Sequence, residues 1–496
     1  MEINDLTPAE RRVWDAFPHG EGVDFREDPD ETGATGQSWG PERTLRAEVI
    51  TALLLNGPAV AGQVPGLNIR GARITGKLNL RYAVVDHPLR LRACWFERRP
   101  MLHGAQLRVF VANDSTLPGL TADSLRVDMS LRLSCCRITG PVRLSGARIA
   151  GGLFLRRAVI GTPPADTPDR EEDAEAPPLQ INHADIGTDI IATDLTVHGQ
   201  TRINGTTVGG QINLDDARLL APGGTALHAE NLTVGTDLRA MRTELRGGVN
   251  LTGSRVPGQL NFAYARFLNP GGVALRASSC QAGEVWLRSC DTIQGGLNLR
   301  RSQFDLFHMP PGTWPEEIRI DGLTYRTLAP HLPAEERLPA LEREESGYVP
   351  YAYEQLAAAY RTAGDEAAAR TVQLAKLRRH RRTQPRHTRL WGLLQDATVG
   401  YGFRPLRAAG WLLALLLTGW IAYGLRPPRP IKAGEAPDFN PVFYTLDLML
   451  PIIGFGQEAA FAPSGWYQWL SYLLIVTGWI LATTTAAGVS RALQRQ

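Results

Sequence analysis

The sequence predicts a mainly β fold, a parallel β-helix closed by helical caps, joined to a C-terminal α-helical hairpin of two membrane spans. Three observations carry this. A glycine-led repeat runs from about residue 61 to 310, the composition is rich in turn formers, and two long uncharged apolar runs lie near the C-terminus. Fifty Gly and 34 Pro stand against only 14 Phe and 12 Tyr, without low-complexity repetition, so the chain needs many short strands rather than a few long elements.

Residues 1–60 read as an N-terminal helical cap. Thr7-Pro8-Ala9-Glu10 has capping-box form with Pro at the first helical position, and Pro41 to Asn56 carries Leu45, Val49, Ala52 and Leu53 at helical spacing. Gly57-Pro58 ends that second helix. Met1 to Glu10 is polar and acidic with no apolar stretch before a cleavage site, so no secretory signal is expected and the N-terminus should stay in the cytoplasm. Cys94, Cys135, Cys136, Cys280 and Cys290 form neither a CxxC pair nor an even framework, which suits a reducing compartment.

From 61 to 310 the helical period gives way to the unit Gly-x-(Val/Ile/Leu)-x-(Leu/Phe)-x-x-(Ala/Ser)-x-apolar. GPVRLSGARI from Gly140, GGLFLRRAVI from Gly151, GQINLDDARL from Gly210, GGVNLTGSRV from Gly247 and GQLNFAYARF from Gly258 are copies. Two loops repeat in register, Leu219 to Leu227 and Phe267 to Leu275. Within a unit, apolar residues five or six apart should point inward from successive short strands. Strands so short cannot form a flat sheet, but they can wind into a coil whose neighbours supply the backbone hydrogen bonds. The segment Gly161 to Pro178, acidic and proline-rich, reads as a disordered loop interrupting the coil.

Val249-Asn250-Leu251-Thr252-Gly253 and Leu260-Asn261-Phe262-Ala263-Tyr264 give this region a close resemblance to pentapeptide-repeat proteins, which implies a right-handed coil over roughly half the chain. Arg148, Arg255 and Arg266 stand where that repeat has Asn or Asp. The resemblance specifies a fold and no activity. Residues 311–407 follow as a helical hairpin, Tyr351 to Arg382 around Gly364, and a basic juxtamembrane segment. From Arg370 to Arg407 there are ten Lys or Arg and one acid, Asp396.

Residues 408–496 form the expected membrane domain. Ala408 to Leu425 and Trp466 to Val489 are uncharged runs of 18 and 24 residues, enough to cross a hydrocarbon layer about 30 Å thick. Trp411, Trp420, Tyr423, Trp466, Tyr467 and Trp469 sit at or near their ends, as interfacial aromatics do. The flanking arginines place both termini in the cytoplasm of a cell with this protein in its inner (plasma) membrane. Arg378, Arg379, Arg381 and Arg382 are the candidate contacts to anionic lipid, at about 1 kcal/mol per charge.

Two glycine motifs suggest ion conduction. Thr398-Val399-Gly400-Tyr401-Gly402 spells a potassium-channel filter, but it precedes the first span and is read as a juxtamembrane turn. Between the spans, Asn440 to Leu450 should form a short helix followed by Ile453-Gly454-Phe455-Gly456, similar to the end of such a filter. Gly454, Phe455 and Gly456 are therefore the candidate pore-loop residues. Ile452, Pro451 and Gln457 depart from the channel pattern, and an interfacial turn is the preferred reading.

Taken with WGPERTLRAEVITALLL and PYAYEQLAAAYRTAGDEAAA, this layout looks like that of bacterial proteins often called membrane-associated oxidoreductases. No GxGxxG, CxxC, CxxCH or metal-spaced His pair accompanies it, so no catalytic residue, metal or cofactor is expected. Cys135-Cys136 should place one side chain inward and one outward. Between Ala61 and Ile160 there are 16 Lys or Arg against five acids, whereas Gly161 to Pro310 has 12 against 17. The basic half could meet anionic headgroups, nucleic acid or an acidic partner. The expected role is a membrane-tethered scaffold for an unidentified protein partner, with nucleic acid unlikely as a ligand. A homo-oligomeric two-span channel is the first alternative and an oxidoreductase the second.

Overall fold

The computed structural model describes residues 5–163, 176–383, 405–432, 434, 436–450 and 454–493. The TVGYG stretch and the centre of the acidic loop lie outside them. The chain divides into two compact units, Met1–Gly364 and Asp365–Gln496.

The first unit is a parallel β-solenoid. Leu120 pairs with Val142, Arg126 with Arg148, Leu131 with Leu153 and Arg137 with Val159. All four pairs are parallel and 22 residues apart, so one coil consists of four two-residue strands. Each strand turns one residue in and one out: Leu131 and Ile138 are buried, while Arg132 and Arg137 are exposed. The inward register expected from the repeat is present, with Leu251 and Phe262 fully buried and Arg255 exposed.

The corners explain the rest of the repeat. At Leu144-Ser145-Gly146-Ala147 the Ala147 N–H donates to the Leu144 carbonyl at 3.1 Å and Gly146 has φ +67°. A left-handed third residue marks a type II turn. The same corner recurs with residues that resist this conformation, including Arg157, Arg242 and Tyr264. The next residue points inward: it is apolar at Leu125, Leu195 and Leu232, Ala at several corners, and at others carries a hydroxyl or thiol that donates to a carbonyl of the preceding coil. Ser115 reaches Leu91 O at 3.0 Å, Cys136 reaches Ala112 O at 2.9 Å, and Ser254 reaches Ala229 O at 2.7 Å. At the opposite kind of corner, glycine is needed for close stacking: a Cβ on Gly151 would lie 2.1 Å from Met129 O.

The long loops at 219–227 and 267–275 belong to strands Arg218–His228 and Arg266–Arg276. Glu244–Asn250 pairs with both, so the loops project from the same corner two coils apart.

The N-terminal segment closes the first edge. Helix α1 (Pro8–Ala16) has the expected capping box at Thr7 and Glu10. Glu10 is buried and receives Arg46 Nε at 2.8 Å, Arg46 Nη2 at 2.7 Å and the Arg46 N–H at 3.0 Å. The helix expected over Pro41 to Asn56 is shorter, with α2 spanning Ala47–Asn56. Thr44–Arg46 is instead a strand paired with Arg73–Thr75, and Gly22–Asp24 pairs with Leu67–Arg70. The open edge of the first coil offers those backbones better hydrogen bonds than an isolated extra helical turn would.

At the other end the parallel pairing continues beyond the sequence repeat to Thr324–Ala329. Helices α3 (Ala334–Glu342) and α4 (Pro350–Thr362) follow. Glu344 accepts the Ile320 N–H at 2.7 Å, Gln355 donates to Tyr325 O at 2.5 Å, and Tyr360 OH donates to Leu332 O at 2.6 Å.

The second unit contains α5 (Glu366–Thr383), α6 (Pro405–Leu425), α7 (Pro441–Met449), the short α8 (Gln457–Ala460) and α9 (Trp466–Leu493). Gly364, φ +80°, marks the expected break before α5. Among the described residues no helix is long and apolar enough to cross a membrane. Burial is described for 410–425 of α6 and 466–481 of α9, so neither uncharged run of the sequence lies wholly within those stretches.

Phe262→Asp should destabilise the solenoid by about 4 kcal/mol or more, because a charge would replace a fully packed ring. Arg255→Asp should change stability by less than about 1 kcal/mol. Thermal unfolding of both variants checks this, and equal losses would refute the register.

Candidate functional site

The second unit is organised around α7. Asn440 caps it, its side-chain oxygen accepting the N–H groups of Val442 at 3.0 Å and Phe443 at 3.3 Å. The expected Asn440 to Leu450 helix is thus present, with Asn440 as its cap. Two glycines let α7 approach its long neighbours. A Cβ on Gly419 of α6 would lie 2.3 Å from Thr445 Cγ2, and one on Gly478 of α9 would lie 2.5 Å from Met449 O. Tyr423, Tyr444, Leu448, Met449, Phe461 and Leu474 form the core, with the rings of Tyr423 and Tyr444 edge to face at 4.9 Å. Tyr423 OH donates to Tyr467 O at 3.1 Å.

Sequence reasoning missed the residue that shapes the glycine loop. Asp447, buried on α7, accepts the backbone N–H of Phe455, that of Gln457 at 2.7 Å and that of Glu458 at 3.0 Å. The last two begin α8, so Asp447 caps that helix from a distance. Gln457 adds a second tie: its Nε2 donates to Asp438 O at 3.1 Å while its Oε1 accepts the Asn440 N–H at 3.2 Å. Arg429–Pro430 pairs antiparallel with Phe461–Ala462, closing the base of the connection. An acid inside the apolar run YTLDLML was the available signal.

Of the candidate pore-loop residues, Gly454 and Gly456 are exposed, and Gly456 is left-handed at φ +78° with open space around a Cβ. Phe455 is also exposed, its ring 5.1 Å from that of Phe443. Residues 451–453 lie outside the described residues. Arg378, Arg379, Arg381 and Arg382 occupy the end of α5, where the first three are half-buried and Arg382 is exposed. Cations there also suit the negative end of the helix dipole.

The thiols do not converge on a site. Cys94, Cys136, Cys280 and Cys290 all follow a left-handed corner residue, and only Cys135 occupies such a corner itself. The vicinal pair therefore divides as expected, Cys136 buried and Cys135 half-buried. Burial pushes the Cys94 and Cys280 thiols up to about 12 and that of Cys290 up to about 11, so reactive thiolate is scarce. Among the described residues no cluster of His, Cys, Asp and Glu could hold a metal ion. Comparison with protein families, curated proteins and solved structures finds no match for this chain.

Asp447→Leu should release the Gly454–Glu458 turn, leaving three N–H groups without their acceptor. The expected cost is about 3 kcal/mol. Limited proteolysis between 450 and 460 should accelerate, with little change in the solenoid, and an unchanged cleavage rate would show that the carboxylate does not hold the turn.

Proposed function

We propose that the chain is an integral protein of the plasma (inner) membrane, with two spans, that presents its solenoid, a right-handed coil, as a cytoplasmic scaffold for a protein partner. The observation that carries this reading is the apolar outer surface of the second unit. Trp411, Leu413, Leu417, Trp420 and Ile421 on α6 are exposed, as are Trp469, Tyr472, Leu473, Val476 and Trp479 on α9. Each such side chain gains roughly 1.5–3 kcal/mol on moving from water into an apolar medium. The uncharged runs 408–425 and 466–489 supply the required length, and the arginines of 370–407 favour cytoplasmic termini. Arg378, Arg379, Arg381 and Arg382 would then meet anionic headgroups. The scaffold role is supported by the long outward rows of the solenoid, which display side chains at fixed spacing.

A pore is the second reading, favoured by one observation: α7 sits between α6 and α9, directly before the Gly454–Gly456 loop. Against it, Asp447 gathers the N–H groups of 455, 457 and 458 into a compact turn. No observation favours a redox role, and the pushed-up thiols weigh against one.

Reporter fusions should place residues 161–178 and Gln496 inside and the region of Asp438 outside. An external C-terminus would reject the two-span arrangement.

Purified protein in planar bilayers should be electrically silent. A cation-selective current lost on Gly456→Ala would replace the scaffold reading with the pore.

A further inference from the structure

The C-terminal cap of the solenoid encloses two adjoining cavities with a buried cation in their common wall. Helices α3 and α4 pack against the last parallel strands, and the spaces lie beneath them. The inner one, about 30 Å³, is walled by Phe307, Trp314, Leu323, Ala340, Leu341 and Ala352. The outer one, about 90 Å³, is lined by Thr327, His331, Ala359 and Tyr360 and by the exposed Arg326. Leu328, Arg337 and Leu356 line both, so Arg337 stands on the wall that the two spaces share.

Arg337 is only 6% exposed, and a guanidinium keeps its proton inside a protein, so the charge stays. Its contacts are neutral. Nη2 donates to Pro330 O, and the Tyr360 hydroxyl beside it donates to Leu332 O at 2.6 Å. The guanidinium has five N–H donors, more than these two oxygens engage. Among the described residues no carboxylate forms an ion pair with Arg337, and the exposed Glu336 acts on it less than Tyr325 or Tyr360 does. Burial disfavours the cation here. A buried charge with only neutral partners is costly, and an anion within hydrogen-bond reach offsets that cost.

We propose that this cavity binds a small carboxylate with a short apolar chain, its charged group on Arg337 and its chain in the inner space. One buried cation calls for a monoanion, and the planar guanidinium matches a carboxylate with two parallel N–H···O bonds. The walls call for the chain. Phe307, Leu323, Leu341 and Leu356 are apolar, an environment that a doubly charged, strongly hydrated phosphate does not leave water to enter. At roughly 10–15 Å³ for each water-sized group, the inner space has room for about two or three carbon atoms beyond the carboxylate. The site lies wholly within the first unit, so it stands or falls apart from the membrane reading.

Thermal unfolding of the purified full-length chain tests this with butanoate as the probe. Chloride at equal ionic strength is one control, and butylammonium, with the same chain and the opposite charge, is the other. Butanoate at about a hundred times its dissociation constant should raise the melting temperature of the solenoid by about 4 °C, and butylammonium should not. Ala340→Leu fills the inner space and leaves Arg337 in place, so it should weaken butanoate binding by about tenfold or more. Arg337→Met keeps most of the side-chain bulk and should abolish the response. Should either variant fail to fold, the other and the two wild-type controls still decide. No shift with butanoate, an equal shift with butylammonium, or a full shift retained by a folded variant would overturn the proposal.

Discussion

Everything in the first unit depends on parallel backbone pairing between coils. A strand of two residues has no stability of its own, so each is held by its partners in the neighbouring coils, 22 residues away where the repeat is most regular. Once that spacing is set, every corner inherits its conformation from its neighbours. Residues such as Arg157, Arg242 and Tyr264 adopt left-handed backbone at a cost of about 1–2 kcal/mol each, because the pairing on both sides leaves no alternative. Their side chains point to solvent, where size is irrelevant. A solenoid also has two open edges, and the N-terminal strands and the α3–α4 region occupy them.

The same geometry explains the cysteines. The position after a left-handed corner points inward; Leu125, Leu195 and Leu232 fill it with apolar bulk, and where a small residue stands there it faces a carbonyl of the preceding coil. Ser, Thr and Cys suit it because they are small and can donate a hydrogen bond, as Ser254 and Cys136 do. Cysteine here is an interchangeable part of the coil wall, and its burial raises the thiol above the range where it reacts readily. Redox chemistry would need the opposite environment, exposed and electropositive.

The periodic half of the molecule was legible because every coil repeats the same inward and outward choice, so Leu251, Phe262 and Arg255 could be assigned from spacing alone. What lay outside the period was not. Thr44–Arg46 is short and sits beside a helical pattern, and only the presence of an open sheet edge draws it into pairing. The left-handed corners were hidden because Arg, Tyr and His carry no turn signature. Asp447 was overlooked as one acid in an apolar helix, since its partners are backbone groups up to eleven residues away, which no side-chain motif records.

The glycine loop shows how one carboxylate alters the meaning of a motif. Gly454-Phe455-Gly456 has the composition of a filter, and a filter needs an extended run whose successive carbonyls line an axis. Convergence of the N–H groups of 455, 457 and 458 on a single carboxylate demands the reverse, a chain that curls around one point. Gly456 then serves as the left-handed entry to α8, a turn function that glycine performs with least strain. The tie from Gln457 to both Asp438 and Asn440 fixes the curl to the start of α7. Residues 454–458 are thus gathered into a turn tied to α7, which is the opposite of the extended run of carbonyls that a filter requires.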